Sequence, residues 1–472
     1  MKISKSLLFV FFSLIAMTSL SFVNANTEYN DDNYDTSIQS WMNQYDIPGV
    51  GVSIIEGGVI EYSKTFGYAN LEENTQLTNQ SILRTESISK SITAYLTMIL
   101  VEEGLLDLHA SIHEYIDIDL PEEITIHQLL THQAGLDIGP FSQHFHPHDI
   151  KPSLYEHLNN TIRLVGEPGT FFSYSNVGYN TLQYIIETVT GLTFNECVEQ
   201  YIFQPFSIEG ASFEYQPSLA SLYAMGYDIN GNEVEPYVYP GQASGGMFTN
   251  LDAITTLFQK IYTNDLILSE NGSSKLYQIY TKASKEYSLV SDGYGYGHFI
   301  ESNDSKAVFH GGQGHGWMAF FYAYPEEQSA IIIITNSQRS YPMISDLIQQ
   351  FSYEMNKDQP GMAMIVDAIF YVNILIVFIG LIFLAILVKT YRKTRKKPKN
   401  IKSIHYFMLI VFFVLLIINI YLWVANYMFI QVLYPIHFEI FRWILTVFMI
   451  FFVLIHTAPL LMELKFNKKN DD

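Results

Sequence analysis

The stretch VGVSIIEGGVIEYSKTFGYA, residues 50–69, sets two β-branched runs on either side of Gly57-Gly58. A glycine pair tolerates the positive φ of a tight turn, so the segment predicts a β-hairpin. A second hairpin is predicted at WMAFFYAYPEEQSAIIIITN, residues 317–336, turning at Pro325-Glu326-Glu327-Gln328. Between the two the periodicity is helical. One helix is predicted over Ile88–Glu103, ending at Gly104, and another over GYNTLQYIIETVTG, residues 178–191, with Leu182, Ile185, Ile186 and Val189 on one face. Strands at both ends with helices between them predict an α/β (α+β) domain: one antiparallel sheet assembled from both ends of the domain, carrying a helical insertion.

Working outward, the chain ends read differently from this domain. Lys2 and Lys5 precede the apolar run Leu7–Met17, and Val23-Asn24-Ala25 offers a small-residue cleavage site, the pattern of a signal peptide over residues 1–25. Residues 368–388, 405–425 and 443–462 are apolar runs without Lys, Arg, Asp or Glu, each about the length a bilayer demands. The loop at 389–404 contains KTYRKTRKKPKNIK, and short loops that basic stay in the cytoplasm. The expected organisation is therefore an exported domain over 26–355, a linker at 356–367, three transmembrane helices and a cytoplasmic tail at 463–472, in short a multi-pass cell-membrane protein.

Charge follows the same division. Residues 26–360 hold 42 Asp/Glu and 12 Lys/Arg, within a chain of net charge −21. A domain that acidic repels nucleic acid. The single cysteine, Cys197, rules out an internal disulfide, so the exported part must fold by burial alone.

Three short motifs carry chemistry. In RTESISKSITAYL, residues 84–96, Ser87 and Lys90 are three residues apart at a helix start, where they lie on one face. A helix N-terminus disfavours a cation, and so does burial, so Lys90 is pushed toward the neutral amine that can take a proton from a serine hydroxyl. The same spacing also describes an N-cap serine followed by a solvated lysine. In GEPGTFFSYSNVGYN, residues 166–180, Tyr174 and Asn176 sit on a loop before a helix; a phenol can shuttle protons and a carboxamide can orient an amide. A tyrosine packed at a helix entry would look alike. In VFHGGQGHGW, residues 308–317, His310-Gly311-Gly312 precedes the last hairpin, where glycines admit a ligand to a strand edge, unless the histidine is incidental to a glycine-rich turn.

In this order and spacing, Ser87-x-x-Lys90, Tyr174-x-Asn176 and His310-x-Gly312 resemble the serine β-lactamase-related family. That family includes class C β-lactamases, penicillin-binding proteins of the D-alanyl-D-alanine carboxypeptidase type, D-aminopeptidases and esterases. DIPGVGVSII (46–55), KTFGYAN (64–70), LVEEGLLDL (100–108), ITIHQLLTHQAGL (124–136) and SGGMFTN (244–250) are similar to family segments too, so the likeness covers about 46–340. It implies a β-lactamase/transpeptidase-like fold, no cofactor, and a serine hydrolase. Ser87 would be the acylated nucleophile. Lys90 and Tyr174 would share the proton transfers, with the base undecided between them. Asn176, His310 and Gly312 would bind substrate, and the backbone N–H groups of Ser87 and Gln313 would form the oxyanion hole.

The resemblance implies a small peptide, ester or β-lactam as substrate. Class C β-lactamases carry lysine where this chain has His310, and Phe309 replaces a glycine often seen before that motif. The first departure weakens a clamp on a substrate carboxylate and favours peptides or esters of the cell envelope over vigorous β-lactam hydrolysis, and the second makes the fit to the motif imperfect; the rivals are a true β-lactamase and a sensor acylated without turnover. His132 in LLTHQAG reads as structural. QHFHPHDI, residues 143–150, has no matching downstream cluster, so no metal site is expected there.

Overall fold

The hairpin at residues 50–69 forms as β1 (Gly49–Glu56) and β2 (Val59–Asn70), with Gly57 and Gly58 at φ 53° and 83° in the turn. These elements belong to a computed structural model that describes residues 34–140, 143–263, 267–302 and 305–364, with isolated positions beyond. Contacts divide the chain into a unit of Asp31–Met364, which holds the fold and the site, and a second of Met1–Asn30 with Ile365–Asp472. Among the described residues no helix is long and apolar enough to cross a membrane. The leader at 1–25 and, isolated positions aside, the runs at 368–388, 405–425 and 443–462 lie outside the described residues.

Seven further strands complete the sheet. They are β3 (Thr75–Gln76), β4 (Thr281–Lys282), β5 (Gly293–Tyr294), β6 (Phe299–Ser302), β7 (Lys306–Gln313), β8 (Met318–Tyr324) and β9 (Ser329–Thr335). Their order is β3-β2-β1-β9-β8-β7-β6-β5-β4, and the pairings are antiparallel. The two ends of the domain meet at its centre, where Val50 faces Thr335 and Ile54 faces Ile331. Pro325–Glu327 forms one 3-10 turn of the second hairpin, and Gln328 takes φ 52° to close it.

Strands β8 and β9 are buried along their whole length, so both faces of the sheet need cover. On one face lies α4 (Leu251–Tyr262), whose Phe258 ring sits 4.3 Å from that of Phe321. The other face is closed by α5 (Tyr341–Glu354), with Phe351 5.9 Å from Tyr324, and α1 (Tyr34–Tyr45) packs on α5. The helical insertion lies between β3 and β4 and holds α2 (Ser89–Glu102) and α3 (Asn176–Thr190). Every residue of α2 from Ser89 to Leu100 is buried. A helix buried all round is a core helix, and it leads out of the turn that carries Ser87. Strands β4 to β6 escaped the sequence reading because runs of two to four residues are too short to show a period.

A buried acid marks the contact between α1 and α5. Tyr45 Oη donates to Asp346 Oδ2 at 3.2 Å, and burial pushes the Asp346 carboxyl up to about 7 against that hydrogen bond. Because the folded-state value is raised, the protonated acid stabilises the fold. That contribution is complete below the unfolded value of 3.8 and shrinks as pH rises toward about 7. Asp346→Asn is expected to raise the melting temperature near neutral pH by at least about 3 °C and to flatten the loss of stability between about pH 4 and 7. Thermal melts across pH check this; unchanged curves would remove the buried acid from the stability profile.

Candidate active site

Ser87 lies in a 3-10 turn, Glu86–Ile88, immediately ahead of α2. Glu86 enters that turn with φ 50°, a left-handed conformation that costs a non-glycine residue roughly 1 kcal/mol. Its side chain is held in place. Glu86 Oε1 accepts from Arg84 Nε at 2.6 Å and from Tyr237 Oη at 3.0 Å, and Oε2 accepts from Tyr239 Oη at 2.9 Å. Arg84 in turn donates to the carbonyls of Tyr237 and Gly245, and the rings of Tyr237, Tyr239 and Phe248 lie within 4.8 Å of its guanidinium. Strand β7 closes on the same turn: a methyl at Gly312 would overlap the Thr85 carbonyl, and one at Gly314 the Glu86 carboxylate.

The Lys90 amine is wholly buried one helical turn beyond Ser87. Its Nζ lies 3.1 Å from Ser87 Oγ, 2.7 Å from Asn176 Oδ1 and 2.6 Å from the Ser244 carbonyl. Burial pushes it well below the ordinary lysine value, against the pull of Glu86. A neutral amine has two N–H groups and one lone pair. Asn176 and Ser244 offer only acceptors, so they take both N–H groups, and the lone pair faces the Ser87 hydroxyl. With the amine neutral, Ser87 is the donor and Lys90 the acceptor, the polarity general-base activation needs.

Tyr174 also hydrogen-bonds Ser87, and the Lys90 amine lies 4.9 Å from the centre of its ring. Burial, with Tyr287 adding to it, pushes the phenol well above its ordinary value, so it stays protonated at neutral pH as a donor. The Tyr174–Asn176 loop is set by Ser175, which caps α3 by accepting from Gly178 N–H at 3.0 Å. Its own N–H donates to His132 Nδ1 at 3.0 Å, and the His132 ring packs 4.4 Å from Tyr174. His132, expected to be structural, positions this loop; its Nε2 has no partner among the described residues.

The third motif divides. Gly314 N–H donates to the Trp317 carbonyl at 3.0 Å, so alternation turns the Gly312 N–H toward β8 and the Gln313 N–H toward the opposite edge. There β6 pairs with β7 only as far as Phe309, which leaves the Gln313 edge to the pocket it lines. Gly312 serves close packing on the nucleophile's turn. His310 does not reach the pocket lining: Nε2 meets Tyr294 Oη at 3.2 Å and Nδ1 meets the Gly311 carbonyl at 2.8 Å. Burial, with Lys90 adding to it, holds this imidazole neutral, well below its ordinary value. The structure therefore brings together Ser87, Lys90, Tyr174, Asn176 and Gln313 and sets His310 and Gly312 beneath them.

Ser87, Tyr174, Asn176 and Gln313 line one cleft, together with Glu86 and Tyr239. The 143–150 loop borders it through Gln143, but His144 packs on Tyr237 while His146 meets Glu235. Among the described residues no group of three His, Cys, Asp or Glu is placed to hold a metal.

The family model described as Beta-lactamase matches residues 34–350. The chain belongs to the Beta-lactamase family. Its type is the serine hydrolase, and among its relatives is penicillin-binding protein 4* of Bacillus subtilis, 27% identical over 60% of this chain and 67% of that protein. Protein flp of Staphylococcus aureus is 23% identical over 67% of this chain and 65% of its own length, so this chain spans about two thirds of these relatives. Among solved structures, the octameric penicillin-binding protein homologue from Pyrococcus abyssi aligns at TM-score 0.62 and 28% identity, over 69% of this chain and 77% of that one. A class C β-lactamase aligns at TM-score 0.56 and 18% identity, over 64% and 90%, a likeness of fold.

Against this family frame, sequence reasoning passed over Arg84, Glu86, Tyr237 and Tyr239, the buried network behind the nucleophile. Arg84 and Glu86 flank Thr85 two residues apart in a run otherwise poor in cations, a signal that was available. Ser244 acts through its carbonyl, for which no side chain gives a signal. The packing at Gly312 yields a test. Gly312→Ala forces a methyl into the Thr85 carbonyl and is expected to destabilise the fold by about 3 kcal/mol, measured by chemical denaturation. A neutral outcome would show that β7 does not bear on the nucleophile's turn.

Proposed function

We propose that this chain is a membrane-anchored, extracytoplasmic acyl-serine hydrolase acting on D-amino-acid-containing peptides or esters of the cell envelope. The observation that carries the chemistry is the buried Lys90 amine 3.1 Å from Ser87 Oγ, with both of its N–H groups absorbed elsewhere. Lys90 takes the Ser87 proton as the hydroxyl oxygen attacks the substrate carbonyl. The backbone N–H groups of Ser87 and Gln313 receive the oxyanion, donors commonly worth about 3 kcal/mol each in the transition state. Tyr174 relays that proton: its phenol protonates the leaving group and is reprotonated from Lys90. Water then attacks the acyl-Ser87 ester, with the same groups acting in reverse. The anchoring rests on the apolar runs and the basic loop between the first two. The envelope substrate rests on family membership and the proposed export.

Intact-mass detection of a fluorophosphonate adduct tests the reading. The wild type is expected to gain one adduct and Ser87→Ala none. Lys90→Ala is expected to acylate about a thousandfold more slowly, and Lys90→Arg not to rescue it, because a guanidinium stays charged. An adduct on Ser87→Ala would overturn the assignment. A penicilloyl adduct on Ser87 separates the rivals: its release by water supports a hydrolase, whereas its persistence without turnover supports a sensor.

The pH profile gives a second check. The neutral amine is the active form and burial lowers its pKa, so kcat/KM should rise with pH and level off well below the ordinary lysine value of 10.5. A rise that continues to that value would mean the amine is solvated in the working enzyme.

A further inference from the structure

The charges around this cleft are arranged asymmetrically. Arg84 and Glu86 form a buried ion pair at 2.6 Å, but only Glu86 lines the cleft; the guanidinium lies behind it, enclosed by Tyr237, Tyr239 and Phe248. The acidic member of the pair is thus the one beside the cleft, its side chain 3% exposed and held by Arg84, Tyr237 and Tyr239. Among the described lining residues there is no lysine or arginine to balance it. Lys90 is buried beneath the wall and directs its lone pair at Ser87. His310 is engaged by Tyr294 and Gly311 and stays out of the lining. His157 does line the cleft, and burial lowers its pKa, which favours the neutral ring.

A carboxylate entering such a site loses its hydration and meets no lysine or arginine in the lining, while the one acid there, Glu86, adjoins the cleft and its partner Arg84 does not. An uncharged group avoids both costs. We infer that Glu86 is a specificity-determining residue that makes this cleft select acyl donors without a free carboxylate beside the scissile bond. Uncharged amides and esters are then the preferred class, and peptides or lactams bearing a carboxylate at that position are poor donors. The inference rests on the acyl-serine reading above and narrows its substrate class. The turn geometry supports it as well. Glu86 holds a left-handed φ next to the nucleophile, so its carboxylate is fixed in position by backbone and by three donors.

The test uses the full-length protein in detergent and two acyl-glycyl esters with the same acyl group, one with a phenyl and one with a meta-carboxyphenyl leaving group. Rates are normalised to the esters' alkaline hydrolysis, and Ser87 labelling by fluorophosphonate is followed in parallel. Wild type should prefer the uncharged ester by about tenfold or more in kcat/KM, and the preference should shrink as salt is raised. Glu86→Gln keeps the shape and one acceptor oxygen, for Arg84 and Tyr237, but removes the charge, so the ratio should fall to about threefold or less. Equal turnover by wild type, preference for the carboxylate ester, or a ratio that Glu86→Gln leaves unmoved would overturn the inference while the Ser87 adduct still stands. If wild type forms no adduct and turns over neither ester, the acyl-serine reading itself falls, and the inference with it. Should Glu86→Gln fail to fold, the wild-type ratio and its salt dependence decide alone.

Discussion

An ammonium cannot be buried without an anion to meet it, and the environment of Lys90 provides none in direct contact. Asn176 and the Ser244 carbonyl supply acceptors that suit a neutral amine as well as a charged one, so burial decides in favour of the neutral form. That choice organises the site. It requires α2 to be enclosed on every side, which the sheet and the helical insertion together achieve. It also requires the Tyr174–Asn176 loop and the Ser244 segment to reach the amine from two separate parts of the chain. Neither the sheet nor the insertion alone would dry the lysine enough to hold its amine neutral.

The nucleophile's turn answers to a second constraint, closeness. The proposed mechanism needs strand β7 near enough to Ser87 for the Gln313 N–H and the Ser87 N–H to share one oxyanion. Any side chain at Gly312 would separate them. The left-handed residue before Ser87 is then fixed by packing from one side and by Arg84, Tyr237 and Tyr239 from the other. Breaking the Arg84–Glu86 pair would leave one charge buried and unmatched, so the network is rigid because half of it is worse than none.

How much of this was legible in the sequence follows from the range of each signal. The two hairpins and α3 were readable because burial imposes a local period on them: Gly57-Gly58 needs its neighbours only. Ser87, Lys90, Tyr174 and Asn176 were readable because their chemistry depends on side-chain type at short spacing. His310 shows the limit. Its position in the motif suggested contact with substrate, but its ring turns to Tyr294 and its own strand, and rotamer and burial are decided by residues remote in sequence. Glu86 shows the converse: Arg84, two residues before it, was its one local sign, and Tyr237 and Tyr239, some 150 residues on, complete its hold.

His310 and Glu86 also bear on each other. A cation at residue 310 reaching the cleft would pair with a substrate carboxylate and would, at the same time, oppose the field of Glu86. The chain has neither that cation nor room for its hydration, since residue 310 is enclosed by Tyr174, Tyr294 and Phe299. Replacing His310 by lysine would therefore place an ammonium inside an aromatic pocket, where desolvation keeps it neutral, and would not restore a carboxylate clamp. The charge preference of the cleft is thus written in two places that must change together. The aromatic cage about residue 310 would have to open toward the cleft, and the carboxylate at residue 86 would have to lose its charge, before an anionic donor met a favourable field.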